Sequence, residues 1–242
     1  MTKQGQRGFV LLCAVTVSAV LLSGCAGEPT ASPETTTAGP TSTHSPDPTS
    51  PPASNPTSTP SGPVALTLVG DSNSTGFSGT LEAGIAAQTA WVALLPAEQY
   101  TFVGGWAIDG STTTDMADAA TPVAGAELLV ILGGTNDLAY GIPTDVTLRE
   151  VVRIAETVQA PSVAVAAIPP SDFLPEEARA LNAELAALAA ERGWIFLDPW
   201  VQMRDEDGSW VAAFRTDGIH TSPDGYAAAA SQIALQLEAA IR

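Results

Sequence analysis

The sequence predicts an α/β domain in which a central parallel sheet of about five strands is covered by helices on both faces. Two observations carry this reading. Short, almost continuously apolar runs recur along residues 64–242, and helical patterns fill the gaps between them. A strand wetted on one face alternates apolar and polar residues, whereas a parallel strand covered on both faces reads as an unbroken apolar run. Strands alternating with helices then favour a doubly wound arrangement.

Each element has its own signal. Strands are expected at Val64–Val69, Tyr100–Val103, Glu127–Leu132, Ser162–Ile168 and Trp194–Leu197. The Ala-rich stretch Thr80–Leu95 is expected to be a helix, stopped by Pro96. Val146–Val158 places Val151, Ile154, Ala155 and Val158 on one face of a second helix. A third runs from Pro175 to Arg192, with Pro at its start and Gly193 at its stop. Ser222-Pro223 opens a last helix, with Ser as N-cap and Pro in the first helical position.

The residues before the domain have a different character. Lys3 and Arg7 precede an apolar run of 14 residues, Phe9 to Leu22, and Leu22-Ser23-Gly24-Cys25 ends the segment. A positive start, a short apolar stretch and small residues at the end make a secretory signal, and a spanning helix needs about 20 apolar residues. The tetrapeptide resembles the bacterial lipobox. That resemblance implies removal of residues 1–24, acylation of Cys25, and attachment of the chain to the outer face of a bacterial membrane. Residues 26–63 hold ten prolines and no aromatic residue. Prolines at that density block helix and sheet, and the apolar content is too low to offset ordering entropy. Residues 25–63 are therefore expected to be a disordered tether, with an upper reach of about 115 Å at 3.1 Å per residue.

Composition excludes several function classes. The net charge is −17, and no Lys occurs after Lys3. Phosphate binding needs clustered Lys and Arg, so no nucleic-acid partner is expected. The two cysteines, Cys13 and Cys25, both precede the domain. With no Cys and one His in the domain, no metal site is expected, and no cofactor motif is present. About 179 residues remain to fold, enough to bury roughly 70% of the unfolded surface without staples. A monomer is expected.

The chemistry lies where strands end. Gly70-Asp71-Ser72 comes after the first strand, Gly133-Gly134-Thr135-Asn136-Asp137 after the third, and Gly110 after the second strand region, while Asp217 and His220 precede the last helix. In open α/β sheets, ligands bind beyond the carboxyl ends of the strands. A serine hydroxyl needs a base to become a nucleophile, usually His, and the His needs a carboxylate to fix its tautomer. His44 lies in the tether, so His220 is the only histidine of the domain, and Asp217 stands three residues before it. Ser72 is the matching nucleophile. Candidate oxyanion donors are the N–H of Ser72, the N–H of Gly110 and the side-chain amide of Asn136. Asp71 and Asp137 are expected to hold their loops through bonds to backbone N–H groups. Trp106, Trp200, Trp210 and Phe214 are read as core packing rather than as walls of a substrate pocket.

Together, Gly70-Asp71-Ser72, Gly110, Gly134-Thr135-Asn136-Asp137 and Asp217-Gly218-Ile219-His220 resemble the four blocks of the SGNH (GDSL-type) hydrolases, in their usual order. The resemblance implies a flavodoxin-like three-layer α/β/α sandwich and hydrolysis of carboxylic esters. It implies Ser72 as nucleophile, His220 as base, Asp217 as its orienter, and Ser72, Gly110 and Asn136 as the oxyanion hole. The chain departs from the family at Asn73, where an apolar residue is common, and Gly104 and Gly105 rival Gly110 for the second block. The expected substrate is a small-molecule or glycan acyl ester, with short acyl or acetyl groups favoured because no long insertion serves as a lid. Two alternatives remain open on the same residues: transfer of the acyl group to cell-wall or other glycans, and a non-catalytic ligand-binding lipoprotein.

Overall fold

A computed structural model describes residues 62–76, 80–82 and 88–241. The signal segment, Cys25 and nearly all of the tether lie outside the described residues.

Six strands form one sheet: β1 (Val64–Gly70), β2 (Thr80–Glu82), β3 (Tyr100–Ile108), β4 (Leu128–Leu132), β5 (Ser162–Ala166) and β6 (Ile195–Leu197). Their order is β2-β3-β1-β4-β5-β6. Five strands are parallel, and only β2 runs antiparallel, on the outer edge of β3. The helices are α1 (Ser72–Thr75), α2 (Thr113–Ala119), α3 (Thr135–Tyr140), α4 (Thr144–Val158), α5 (Pro175–Arg192) and α6 (Pro223–Ile241). This is the expected three-layer α/β/α architecture.

Alternate residues of the central strands feed two cores. Leu66 and Leu68 of β1 and Leu128 and Val130 of β4 pack with Tyr226, Ile233 and Leu237 of α6 and with Trp91. Val69, Leu129 and Ile131 point the other way, onto Met116 of α2, Val151 and Ile154 of α4, and Leu181 and Leu185 of α5. Burying each such side chain is worth about 1.5–3 kcal/mol, which is why both faces of an unbroken apolar strand find a helix. On α4 the buried residues Val151, Ile154, Ala155 and Val158 recur at helical spacing. Helix α5 starts at Pro175 and ends on Gly193, whose left-handed φ of 66° lets its N–H reach the carbonyls of Ala189 and Ala190.

The structure corrects the expectation for Thr80–Leu95. Thr80–Glu82 is a strand paired with Trp106–Ile108, and Trp91–Leu94 is a single 3-10 turn. Helix propensity is a weak prior, and tertiary pairing overrides it. Strand β3 also runs past Val103, through Gly104 and Gly105. The register of β1 against β3 shifts between Leu66 and Thr67, Gly104 takes φ 140°, and the Thr67 hydroxyl donates to the Gly104 carbonyl at 2.7 Å. A Cβ on Gly105 would lie 2.3 Å from the carbonyl oxygen of Leu68, so only glycine permits this approach.

The chain leaves β1 for β3 on one side and crosses to β4 on the other. The carboxyl ends of β1 and β4 therefore flank the point where strand order reverses, and a crevice opens there.

Candidate active site

The first wall of the crevice is the segment leaving β1. Gly70 ends the strand where an added Cβ would sit 2.2 Å from Ser74 Oγ and 3.0 Å from the Leu132 carbonyl. The chain turns at once into the single turn of α1. Asp71 caps it, with Oδ1 accepting from the Asn73 N–H at 2.9 Å, and Gly76 closes it at φ 69°. Ser72 is thus held at the first position of the turn, 5% exposed. Among the described residues no acceptor meets its N–H.

His220 arrives from the far end of the chain. Its Nε2 lies 2.7 Å from Ser72 Oγ, and its Nδ1 lies 2.7 Å from Asp217 Oδ2. Asp217 Oδ1 accepts from the N–H groups of Ile219 and His220, at 2.9 and 2.8 Å. Burial pushes the Asp217 carboxyl up, but the His220 ring and these two N–H groups outweigh it and bring the pKa down to about 2. An ionised carboxylate only accepts, so Nδ1 carries the proton and Nε2 presents a lone pair to the serine hydroxyl.

The segment around Asp217 and His220 is a closed turn. Arg215 and Thr221 pair across its base, the Thr216 hydroxyl donates to the His220 carbonyl at 2.7 Å, and Gly218 supplies a left-handed φ of 89°. Helix α6 leaves directly from it, with the Ser222 hydroxyl accepting from the Gly225 N–H at 3.2 Å. A cleft of about 400 Å³ opens beside the turn, lined by Gly76, Thr89, Thr216, Asp217, His220 and Tyr226 among others.

The opposite wall comes from the ends of β3 and β4. Gly104 and Gly105 lie inside β3, whereas Gly110 lies in the exposed turn after it at φ 81°. Thr112 caps α2 through a reciprocal bond pair with Asp115. Asn136 lies in the first turn of α3, and its Nδ2 donates to the Ser111 carbonyl at 2.9 Å, next to Gly110. Asp137 is fully buried and accepts from the N–H and hydroxyl of Thr113 and from the Thr147 hydroxyl. The structure thus brings Ser72, Asp217 and His220 into one hydrogen-bonded chain, and it joins Asn136 to the Gly110–Ser111 turn.

Two features had no signature in the sequence. Asp109 accepts from the Thr75 hydroxyl at 2.6 Å, tying the Gly110 turn to α1. Asn73, where the chain departs from the family, is fully buried and accepts from the Tyr226 hydroxyl at 3.4 Å. Both partners lie far apart in the chain, and no local spacing reveals them. Under Ser72, Asp71 is raised to about 7, first by burial and further by the negative Asp137 and Asp109, against the bond from Asn73. Trp200 and Trp210 are buried edge to face at 5.9 Å, in the core and not in the cleft.

No curated protein matches the chain. Solved structures resemble it in fold, at low identity. A GDSL-like lipase from Bacteroides thetaiotaomicron superposes with a TM-score of 0.58 at 21% identity, over 73% of this chain and 88% of that one. A carbohydrate acetylesterase family member from Sinorhizobium meliloti gives 0.54 at 17%, over 74% and 99%. A member of the lipolytic G-D-S-L family from Veillonella parvula gives 0.52 at 19%, over 70% and 95%. The model of the GDSL-like lipase/acylhydrolase family matches residues 68–228, from within β1 into α6 and across every residue of the hydrogen-bonded site. The chain belongs to the GDSL-like lipase/acylhydrolase family, and it is an ester-hydrolysing enzyme.

Proposed function

We propose that the chain is an extracytoplasmic serine esterase that releases short acyl groups through an acyl-Ser72 intermediate. The observation that carries this reading is the continuous relay from Ser72 Oγ through His220 to Asp217, with both links at 2.7 Å.

Ser72 Oγ attacks the ester carbonyl as His220 Nε2 takes its proton. The C–O double bond becomes an oxyanion, met by the N–H groups of Ser72 and Gly110 and by the Asn136 amide. Collapse expels the alcohol, which takes the proton back from His220 and leaves the acyl group on Ser72. A water then gives His220 a proton as it attacks, and the second collapse frees the acid and restores the serine hydroxyl. Asp217 stays ionised throughout and stabilises the imidazolium.

Short acyl groups are favoured because no long insertion among the described residues serves as a lid over Ser72. An acetylated carbohydrate is the natural first substrate to try, since one fold relative is a carbohydrate acetylesterase family member. The signal segment, Cys25 and the Pro-rich stretch support attachment by lipid to the outer face of a bacterial membrane.

A fluorophosphonate probe should label Ser72, and Ser72→Ala should abolish labelling and lower kcat on p-nitrophenyl acetate by about 10⁶. Unchanged turnover in Ser72→Ala overturns the reading. A series of p-nitrophenyl esters beside acetylated xylan sets the acyl preference. Cys25→Ala should release the enzyme from membranes of the expressing cell.

A further inference from the structure

We propose that Asp172 is a positioning residue that holds the Asp217–His220 turn in its productive geometry. The proposal rests on the reading of Ser72, His220 and Asp217 as the catalytic relay. Asp172 lies in the connection between β5 and α5, on a different branch of the chain from the turn it touches.

It reaches the turn at two points and the segment before it at a third. Its N–H donates to the carbonyl of Gly218, midway between Asp217 and His220, at 3.0 Å. Its Oδ2 accepts from the Arg215 guanidinium at 3.3 Å, at the base of the turn. Its Oδ1 accepts from the N–H of the buried Trp210 at 3.2 Å, on the segment that leads into the turn. The contact is also steric. A Cβ on Gly218 would meet Phe173 at 2.9 Å and the Asp172 side chain at 3.1 Å, so residues 172 and 173 press directly on the backbone of the turn.

Asp172 is itself fixed. Pro169 and Pro170 before it are buried. The Ser171 hydroxyl accepts from the N–H groups of Phe173 and Leu174, at 3.2 and 3.1 Å. Asn182 of α5 clamps Ile168 by a reciprocal pair, accepting from its N–H at 2.7 Å and donating to its carbonyl at 3.0 Å. The support therefore runs from the body of α5 to the tip of the catalytic turn.

Such a support is needed because the turn joins the long loop after β6 to α6 without pairing to the sheet, and its tip is a glycine with left-handed backbone. The exposed Asp172–Arg215 pair is worth little as a salt bridge. Its effect is on the aim of the His220 ring, where a shift of about 1 Å can lower a rate about 10²-fold.

The test measures steady-state kinetics and the rate of fluorophosphonate labelling of Ser72. Asp172→Ala should lower kcat by about 10- to 100-fold with KM within about twofold, and slow labelling by the same factor. Asp172→Asn and Arg215→Ala each remove the Arg215 ion pair and leave the side-chain acceptor for the Trp210 N–H. Each should lose about three- to tenfold in kcat, and combining them should cost no more than either alone. A folded Asp172→Ala enzyme with wild-type kcat, or one changed only in KM, overturns the proposal. If Asp172→Ala does not fold, Asp172→Asn and Arg215→Ala decide by the same criterion. Ser72→Ala run in parallel separates the two ideas: an inactive Ser72→Ala beside a fully active Asp172→Ala defeats the positioning role alone, and an active Ser72→Ala defeats the relay beneath it.

Discussion

The carboxylate of Asp137 accepts two bonds from Thr113, one from its N–H at 2.9 Å and one from its hydroxyl. The pair joins the start of α3, which carries Asn136, to the start of α2, which comes just after the Gly110 turn. The two candidate donors outside α1 are thereby set as a unit, with Thr147 of α4 as the third partner at 3.0 Å.

Asp137→Ala should therefore damage stability and rate together. It strands three buried donors, at a total of about 3 kcal/mol or more. For a domain of this size the expected fall in Tm is about 6–12 °C. Calorimetry beside kcat on p-nitrophenyl acetate checks it, and a variant with unchanged Tm contradicts the structural role.

Asn136→Ala should act on rate with little effect on folding. Its amide is only half-buried and bonds one carbonyl, that of Ser111. Losing one oxyanion donor lowers kcat by about 10²–10³. Since the donor acts on the transition state, KM should stay close to wild type. Steady-state kinetics with one activated ester is sufficient.

Asp71 makes stability fall with rising pH. Its folded pKa of about 7 stands above the ordinary carboxylate value near 3.8, so the folded domain holds the proton more tightly than the unfolded chain. The group's contribution is favourable at low pH and declines from about pH 4 to pH 7, by roughly 4 kcal/mol in all. Asp71→Asn keeps an N-cap acceptor for the Asn73 N–H and removes the titration. Urea denaturation at pH 5 and pH 8 should show a smaller decline in the variant, with the variant the more stable at pH 8. Parallel declines in both proteins would contradict the assignment.

Asp217 has the opposite sign. With its pKa depressed to about 2, its contribution is present above about pH 4 and is lost as pH falls toward 2. The carboxylate is therefore ionised from about pH 4 upward. Asp217→Asn should lower kcat by about 10⁴ through the wrong His220 tautomer. It should also flatten the stability curve between pH 4 and pH 2. Both effects are read from one variant, by kinetics and by acid denaturation.

Much of this was legible in the sequence. Apolar runs marked the five parallel strands because helices pack on both faces of the sheet, and Pro175 with Gly193 marked both ends of α5. The relay residues were legible because the domain holds one histidine and an aspartate three residues before it. The hidden part depends on contacts between distant segments. Thr80–Glu82 looks helical by composition, yet the free edge of β3 captures it as a strand. Gly104 and Gly105 look like a strand end, yet they are small so that β3 can approach β1. Asp109, Asn73 and Asp172 act through Thr75, Tyr226 and Gly218, none of which is a sequence neighbour.

The separation of 148 positions between Ser72 and His220 has a consequence for how activity arises. Ser72 is delivered by the end of the first strand and His220 by the turn before the last helix. No fragment that lacks the Ser72 segment or the Asp217–His220 turn can hold the relay, and a chain still being synthesised cannot form it until that turn has docked. Turnover in this enzyme is thus an all-or-none report that the polypeptide has closed upon itself, and recovery of activity on refolding should track the docking of α6 and not the formation of the sheet.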